Sequence, residues 1–530
     1  MQTPVTAPTC PREGSLPRLR ARELRQMPLM RLLCPMRSTQ QMLQMRWTKR
    51  IVVQLTVAAT LAGCSVGPDY VRPPAEMSDT YKELSNWKVA QPSDALSRGA
   101  WWEVYGDPQL NALEEEAMIS NQQLASAEGR MRAARALVRV AKADFYPNAS
   151  VGVSATRTRR SAHFGSSSSS SSTSSPSLEI SDYRLPIDVS WEPDLWGRVR
   201  RSVESSQASA QASAADLEAA RLSLSAELAT DYFSLRAIDA DKKLVDETVA
   251  ADARSLQITQ NRYAAGVAAR SDVVLATAQL ETTRASAIDL GVQRAQFEHA
   301  IAIITGKPPS ALSLPVVPLA ATPLVTPPGL PSELLQRRPD VAAAERRVAA
   351  ANAEIGVAKA AYFPSVSLSA SVGLEASHVS DWFSWPSRFW AVGPSLSETV
   401  FDGGRRRGQT EQARANYDSA VADYRQSVLT AFQEVEDNLA ALRILEGEAR
   451  VMEDAVKASL ESVTLTMNQY KAGTVSYLNV VVVQAAALNT QRSASDLLAR
   501  RMVASVQLTK ALGGGWKSAE LSSNEDLARR

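Results

Sequence analysis

The chain contains two copies of one long sequence unit. The run AKADFYP at 141–147 returns as AKAAYFP at 358–364, which is 217 residues later. A second run, N-x-Y-x-A-G, begins at Asn261 and returns at Asn468, an offset of 207 residues. The offset shrinks because the first copy carries a serine tract at 166–175 that the second copy lacks. The chain is therefore a duplicated unit with one expanded loop, and the duplication fixes the architecture before any chemistry is considered.

The first 63 residues have the features of a leader. An apolar run at 51–62 follows Arg46, Lys49 and Arg50, and it is too short to span a bilayer but suits a signal peptide. The run ends in Leu-Ala-Gly-Cys, which resembles the lipobox of bacterial lipoproteins. This resemblance implies a covalent diacylglycerol and an N-acyl chain on Cys64, and we expect no other cofactor.

The true start of the chain is expected at Met42 or Met45. Residues 1–44, rich in Met, Arg and Pro, fit no part of a leader, so 45–63 is the expected signal peptide. Cys10 and Cys34 would then be absent, and lipid would occupy the one remaining cysteine. A disulfide, a zinc site and a thiol nucleophile are therefore not expected.

The basic character of the chain belongs to this leader. Ten of the 58 Lys and Arg residues and two of the 56 Asp and Glu residues lie in 1–63, which leaves 48 basic and 54 acidic residues, a net charge of −6. Nothing in this balance favours a nucleic-acid partner.

Four segments alternate apolar and polar residues with a period of two, which predicts strands. They lie at about 148–158, 181–192, 364–375 and 389–401. Each has roughly ten residues, the length of a tilted membrane-spanning strand, and aromatic residues lie near their ends. An ordinary soluble sheet with one wet face fits the same alternation equally well.

The remainder of each copy predicts long helices. No proline occurs from Gly197 to Arg262, where leucines at 217, 224, 228 and 235 are spaced by seven, four and seven residues. This is coiled-coil spacing, and roughly 65 residues at 1.5 Å each give a rod of about 100 Å. The matching stretch after Gly404 places apolar residues at 428, 435, 439 and 442. Such helices must pack laterally against other long helices.

The number of strands implies an oligomer if the sheet lies in a membrane. Unpaired strand edges in lipid are too costly, and bacterial barrels have eight or more strands, so four strands cannot close alone. Three copies would give a twelve-stranded barrel continuous with a tube of helices, although the residues alone do not favour three copies over two.

Several motifs that cover nearly the whole mature chain resemble one family. They are GPDYVRPP at 67–74, WW-x-x-Y-G-D-P-x-L at 101–110, the run at 330–364, FDGGRRR at 401–407 and the two Tyr-x-A-G turns. The chain is similar to the outer membrane factor family, the TolC-like exit ducts of tripartite pumps, and most similar to the lipidated NodT/OprM branch. The resemblance implies a homotrimer with a β-barrel in the outer membrane and a helical tunnel in the periplasm.

The same resemblance implies the domain boundaries. They are a lipidated and equatorial segment at 64–104, the first repeat at 105–306, a Pro-rich linker at 307–331, the second repeat at 332–513 and a tail at 514–530.

Site residues follow from the resemblance at the two Tyr-x-A-G turns, where the tunnel tips meet a periplasmic adaptor. The expected adaptor contacts are Ala265, Gly266, Val267, Ala472, Gly473 and Thr474. Carried over by position, Asp272 and Tyr470 match a pair that hydrogen-bonds in the closed gate. This chain has Asn479 and Val482 where relatives carry two aspartates, so Tyr477 and Val482 are candidates for an apolar constriction instead.

Glycines at Gly197, Gly403 and Gly404 are expected to redirect a strand into a long helix. The arginines at 198, 200, 201 and 405–407 follow directly. They would contact lipid headgroups or carboxylates at the barrel rim, or belong to a solvated helix start. The serine tract would lie in an extracellular loop as a flexible insertion.

The sequence offers no support for catalysis. His163, His299 and His378 are isolated, and no P-loop, serine elbow or metal motif is present. We therefore expect an exit duct, not an enzyme, that works with a periplasmic adaptor and an inner-membrane pump of the RND type. Two alternatives stay open at this point: a channel for type I protein secretion, and a coiled-coil lipoprotein scaffold or adhesin.

Overall fold

The structure is a computed structural model, and it describes residues 66–75, 81–84, 100–159, 179–319 and 337–516. All of them belong to one compact unit, Cys64–Arg530. The predicted leader, the predicted lipidation site Cys64, the serine tract and His163 lie outside the described residues.

Long helices and one antiparallel sheet make up the described residues. The helices are α1 (Pro108–Ser120), α2 (Gln122–Ala143), α3 (Arg198–Ala264), α4 (Arg270–Ile304), α5 (Pro339–Ala360), α6 (Arg405–Lys471) and α7 (Tyr477–Ala511). The strands are β1 (Asn148–Val151), β2 (Ser154–Arg159), β3 (Glu179–Trp191), β4 (Ser365–Ala376) and β5 (Arg388–Ser397). Short 3₁₀ turns occupy Lys82–Leu84, Trp101–Tyr105, Pro309–Ala311, Val379–Asp381 and Trp385–Ser387. None of the described helices combines the length and apolarity needed to cross a membrane.

The helix bounds of the two copies match residue for residue. A shift of 217 carries the bounds of α2 onto those of α5, and a shift of 207 carries α3 onto α6 and α4 onto α7. The two offsets read from the sequence therefore predict the helix boundaries of one copy from those of the other.

The strand order is β1, β3, β4, β5, and β2 continues the line of β1 beside β3. The first predicted strand is interrupted at Gly152 and Val153, although β1 and β2 share one register against β3. Gly152 lies opposite Pro186 and donates to its carbonyl at 3.0 Å. Pro186 has no N–H to return, which explains the interruption.

The fourth predicted strand ends earlier than expected, at Ser397 and not at residue 401. Ser397 pairs with Ser365, the first residue of β4, so β4 offers no strand partner to the residues that follow. They form a turn instead, in which Arg406 donates to the carbonyl of Thr399 at 2.6 Å.

Glycine redirects each strand into a long helix, as predicted. Gly197 and Gly404 precede α3 and α6 with φ of 83° and 90°, a region that L side chains rarely adopt. Two of the arginines that follow pair with carboxylates near these turns. Arg198 lies 3.2 Å from Glu192, and Arg406 lies 2.7 Å from Asp402.

The predicted apolar positions of α3 and α6 form the helical core. Leu217, Leu224, Leu228 and Leu235 are all buried, as are Val428, Val435, Leu439 and Leu442. Each fully buried side chain of this kind stabilises the fold by about 1.5–3 kcal/mol. The largest cluster lies where α1 and the Trp101–Tyr105 turn cover α3, with Trp101 donating to Ser225 at 3.0 Å.

The N-terminal segment is bonded to the junction of sheet and helices. The N–H of Val66 donates to the carbonyl of Trp196, the residue before the turn into α3, at 3.1 Å. A Cβ on Gly67 would lie 2.6 Å from the Cα of Gly356 in α5, so the two backbones approach closely. Asp69 then pairs with Arg201 at 2.9 Å. This level of the molecule is therefore fixed by contacts from three parts of the chain.

Candidate functional site

The sheet has one face that is almost wholly apolar. Residues directly opposite each other in an antiparallel sheet share a face, so the register assigns the sides. Its two central rungs are Ala149, Val189, Ala370, Val392 and Val151, Ile187, Val372, Trp390.

The opposite face is polar. Ser367 and Ser395 lie on one rung with their hydroxyls 2.7 Å apart, and Arg184 pairs with Glu375 at 3.1 Å on another. Serine, glycine and charged residues therefore follow this face, as expected for a surface that meets water.

No core of the described residues covers the apolar face. Val392 is 73% exposed and Trp390 is 79% exposed. The sheet also ends at unpaired strands, β1 with β2 on one side and β5 on the other. An uncovered apolar face with alternating polar residues behind it is the pattern of a membrane barrel strand.

At the other end of the molecule, the two long hairpins turn through the same motif. Gly266 has φ of 72° and lies just past the end of α3, while the N–H of Val267 donates back to the carbonyl of Arg262 at 2.9 Å. Gly473 repeats this with φ of 79°, and Thr474 donates to the carbonyl of Gln469 at 3.0 Å. These are Schellman caps, in which glycine takes the left-handed position.

All six predicted tip residues are exposed. They are Ala265, Gly266, Val267, Ala472, Gly473 and Thr474. They lie on two neighbouring turns and form one surface that a partner can reach.

A clamp around Tyr470 joins the two turns. Arg262 donates through Nη1 to the carbonyl of Lys471 at 2.9 Å, and its guanidinium lies 4.8 Å from the centre of the Tyr470 ring. The Tyr470 hydroxyl donates to Thr259 Oγ1 at 3.2 Å. Sequence reasoning missed Arg262 and Thr259, since Arg262 occupies a variable position of the N-x-Y-x-A-G run and Thr259 lies before it. They tie the end of α6 to the last turns of α3.

The predicted bond between Asp272 and Tyr470 is not present within the chain. The Tyr470 side chain packs in a buried cluster with Ala276, Tyr477 and Val480, and this packing turns its hydroxyl toward Thr259 on α3. Asp272 lies at the start of α4, where its backbone N–H donates to the carbonyl of Ala269 at 3.1 Å. The structure therefore gives Tyr470 a different partner from the one carried over by position.

The residues predicted to form the constriction differ in their exposure. Tyr477 is fully buried and meets Tyr470 edge to face at 5.3 Å, so it does not line an open surface as predicted. Asn479 and Val482 lie one turn apart and are exposed, Val482 to 58%. These two positions remain available to face a channel.

Behind the tips, a buried polar pair connects α3 with α4. Asp252 is 1% exposed, and its Oδ2 accepts from Thr283 Oγ1 at 2.8 Å, while its other oxygen has no partner. Burial raises the pKa of Asp252 above its ordinary value. Burial, with the nearby Asp252 charge, raises the pKa of Tyr477 to about 12.

Two of the three histidines lie in the described residues. His299 and His378 are exposed, and His378 Nδ1 lies 3.1 Å from the Ser377 hydroxyl in a sheet loop. Across the described ranges, no group of three or more His, Cys, Asp or Glu side chains is arranged to hold a metal ion.

A sheet with a lipid-type face, joined end to end with long paired helices, defines a class of outer-membrane channel proteins. The family model for the outer membrane efflux protein matches residues 113–307 and 330–514, the two repeats. The chain belongs to the outer membrane efflux protein family.

Known relatives agree over nearly the whole length. Outer membrane protein OprJ of Pseudomonas aeruginosa is 33% identical over 469 residues, covering 88% of this chain and 96% of the relative. The probable efflux pump outer membrane protein TtgC of Pseudomonas putida is 31% identical over 485 residues, covering 91% and 99%.

Solved structures confirm the fold. The outer-membrane channel OprN is 33% identical and matches with a TM-score of 0.77, over 86% of this chain and 100% of that one. CusC matches at 26% identity with a TM-score of 0.75, over 85% and 100%. The chain is thus an exit duct of an efflux system, located in the outer membrane with its helices in the periplasm.

Proposed function

We propose that three copies of the chain form a twelve-stranded barrel and a helical tunnel, through which drugs or other small toxic compounds leave the periplasm. A periplasmic adaptor would dock at the exposed tips, and an inner-membrane pump of the RND type would supply the energy. The observation that carries the proposal is the uncovered apolar face of a sheet with two unpaired edges.

Closure is the physical reason for an oligomer. In lipid, each unpaired backbone group costs several kcal/mol, so the edges at β1 with β2 and at β5 must find partners. Because β1 and β5 run in opposite directions, β5 of one copy can pair antiparallel with β1 and β2 of the next. Three copies give twelve strands, within the range of bacterial barrels.

The cargo is proposed to be selected by the pump and not by this chain. Relatives of similar identity carry names with different cargoes: toluene for TtgC of one Pseudomonas putida strain at 30%, pyoverdine for OpmQ at 30% and cations for CusC at 29%. A duct shared by such different compounds supports passage without a specific binding site. We infer that the chain carries out no catalytic step.

A lipid anchor on Cys64 is proposed to hold the chain at the inner leaflet of the outer membrane. Its support is the position of Val66, two residues later, which is bonded to Trp196 at the junction of β3 and α3. Acyl chains attached there would lie at the level where the sheet meets the helices.

The membrane face can be tested with two arginine substitutions on neighbouring residues. Val392 lies on the apolar face and Ala391 on the polar face of β5. Arginine on the lipid side near the midplane costs about 2–4 kcal/mol, whereas the channel side tolerates it. We expect Val392→Arg to abolish a heat-sensitive trimer on unheated gels of outer-membrane extracts and Ala391→Arg to preserve it. Equal behaviour of the two variants would refute the assignment of faces.

The partner is tested by photo-crosslinking in living cells. A cysteine-reactive benzophenone would be placed at Ala265→Cys or Ala472→Cys, with Ala458→Cys on an exposed part of α6 as the control. Capture at the tips, but not at the control site, of an adaptor that works with an RND pump is the expected result. An adaptor of an ABC exporter would shift the function to type I protein secretion, and no capture would refute tip docking.

A further inference from the structure

Arginines stand at the end of the sheet that lies away from the helices, and they share the apolar face. Arg388 lies opposite Leu374, which lies opposite Leu185, so Arg388 projects from the same side as these leucines. On the far edge of the sheet, Arg157 and Arg159 occupy the same side, two and four residues beyond Ala155.

The height of Arg388 coincides with the outer limit of the apolar band. The band runs along β4 from Val366 to Leu374, eight steps of about 3.4 Å. With a strand tilt of about 40°, this gives a height of roughly 21 Å, close to the apolar band of about 25 Å seen in membrane barrels. Arg388 therefore lies where the hydrocarbon ends and headgroups begin.

An aromatic platform supports Arg388. Its guanidinium lies 3.2 Å from the centre of the Trp385 ring, and Trp385 is 74% exposed. Phe383, in the same loop, is 72% exposed. Exposed aromatic rings are typical of the membrane interface. A guanidinium that lies over such a ring keeps the N–H donors at its edge free for a ligand.

Two of the three arginines at this end form no ion pair among the described residues. Among the described residues, no carboxylate lies within ion-pair distance of Arg388 or Arg159, whereas Glu179 pairs with Arg157 at 2.6 Å. The helical end of the sheet differs, because Arg198 and Arg406 there pair with Glu192 and Asp402. The arginines of the outer end thus leave donors for an external anion.

The proposed trimer brings these arginines closer together. In a closed barrel, β5 of one copy lies beside β1 and β2 of the next, so Arg388 meets the edge that carries Arg157 and Arg159. Like charges placed side by side are destabilising unless an anion lies between them.

We propose that Arg388, Arg157 and Arg159 form a binding surface for the phosphate groups of a phosphorylated glycolipid in the outer leaflet. Arginine forks suit phosphate oxygens, and the adjoining apolar face suits the acyl chains of the same molecule. This inference rests on the membrane placement of the sheet proposed above.

The test uses the full-length trimer in detergent and diphosphoryl lipid A as the probe. Binding is followed by native mass spectrometry, with monophosphoryl lipid A, phosphatidylcholine and inorganic phosphate as the other arms. We expect retention of diphosphoryl lipid A above the other three, weakened by salt. Arg388→Gln should weaken it about fivefold, since one basic residue near a charged surface contributes about that factor.

The control is Arg184→Gln, which lies next to Leu185 but on the polar face of the sheet. It should bind lipid A like the unmodified protein. Equal loss in Arg184→Gln and Arg388→Gln, no loss in Arg388→Gln, or retention of inorganic phosphate as strong as that of lipid A would each overturn the proposal. A heat-sensitive trimer that binds no lipid A would refute this inference alone. Loss of the trimer in Ala391→Arg as well as in Val392→Arg would instead refute the membrane placement of the sheet.

Discussion

The two long hairpins, α3 with α4 and α6 with α7, have equal lengths but different interiors. α3 and α6 each span 67 residues, and α4 and α7 each span 35. Even so, α3 buries Asp239, Asp252 and Thr259 among other polar side chains, whereas the residues that α6 buries are apolar or aromatic apart from Thr410.

Equivalent positions show the difference residue by residue. The side chains of Arg236 and Asp239 are 3% and 0% exposed. A shift of 207 leads to Arg443, which is 38% exposed, and to Glu446, which is 53% exposed. The contrast reverses at the tips, where Tyr263 is 48% exposed and its equivalent Tyr470 is 3% exposed.

The number of helices packed against α3 and α6 explains why the two hairpins bury different residues. α3 has α1, α2, α4, α5 and α7 as helical neighbours, whereas α6 has α5 and α7. One side of α6 therefore stays open and carries exposed apolar residues: Leu429, Ile444, Val451, Leu460 and Leu465. Duplication thus sets lengths and turns, and the number of neighbours decides which residues fill the interior.

The largest expected effect comes from the buried charges of the first hairpin. Asp239 accepts from Arg236 at 3.1 Å, from Arg294 at 2.8 Å and from the N–H of Val317 at 3.0 Å. Asp239→Asn leaves the buried Arg236 without its counter-charge and leaves Arg294 with Glu298 as its remaining carboxylate partner, which costs about 3–5 kcal/mol. We expect a marked fall in the melting temperature of the full-length trimer.

The equivalent change in the second hairpin sharpens the comparison. Glu446 pairs with Arg450 at 2.6 Å on an exposed surface, so Glu446→Gln should change stability by less than about 1 kcal/mol. Similar melting temperatures for the two variants would mean that the difference in burial between Asp239 and Glu446 does not affect stability.

The pH dependence of stability should also distinguish the hairpins. Burial raises the pKa of Asp252 in the folded chain above its unfolded value of 3.8, so the folded state binds this proton more tightly. The stabilisation is complete below pH 3.8 and is lost as the pH rises through the folded pKa. We expect the melting temperature of Asp252→Asn to rise relative to that of the unmodified protein as the pH increases above 3.8.

The control for this titration is Asp454→Asn on α6, where the side chain is 83% exposed. An exposed carboxylate of this kind contributes little to stability, so the melting temperature of this variant should stay close to that of the unmodified protein. A pH-independent difference for Asp252→Asn would show that Asp252 titrates as it does in the unfolded chain.

A smaller effect is expected at the tips from Arg262. Arg262→Ala removes the bond to Lys471 and the contact with the Tyr470 ring, together about 1–2 kcal/mol. The distance between spin labels at Ala265→Cys and Ala472→Cys, measured by electron paramagnetic resonance, should then show a broader distribution. Gln469, the equivalent residue on the second turn, is exposed, and Gln469→Ala should leave the distribution narrow. Equal broadening in both would contradict the clamp.

The sequence predicts the helices and the sheet well because local signals define them. The offsets of 217 and 207 recover the helix bounds, and glycines mark both strand-to-helix turns. The gate is harder to predict from the sequence, since Tyr263 and Tyr470 occupy the same Asn-x-Tyr-x-Ala-Gly motif. Nothing in the local sequence shows which of the two is buried. Their environments depend on how four helices pack, and this packing also buries Tyr477 and gives Tyr470 Thr259 as its partner.

The smallest effect, and the most direct test of the gate, is removal of one hydroxyl. Tyr470→Phe loses the bond to Thr259, which keeps its own bond to the carbonyl of Ser255 at 2.9 Å, so the cost is about 1 kcal/mol. If this bond favours the closed tips, single-channel recordings should show about fivefold more open time. Tyr263→Phe changes a half-exposed ring and should leave conductance unaltered. Unchanged open time in Tyr470→Phe would remove this hydroxyl from the gate and leave the Arg262 contacts as the link between the two turns.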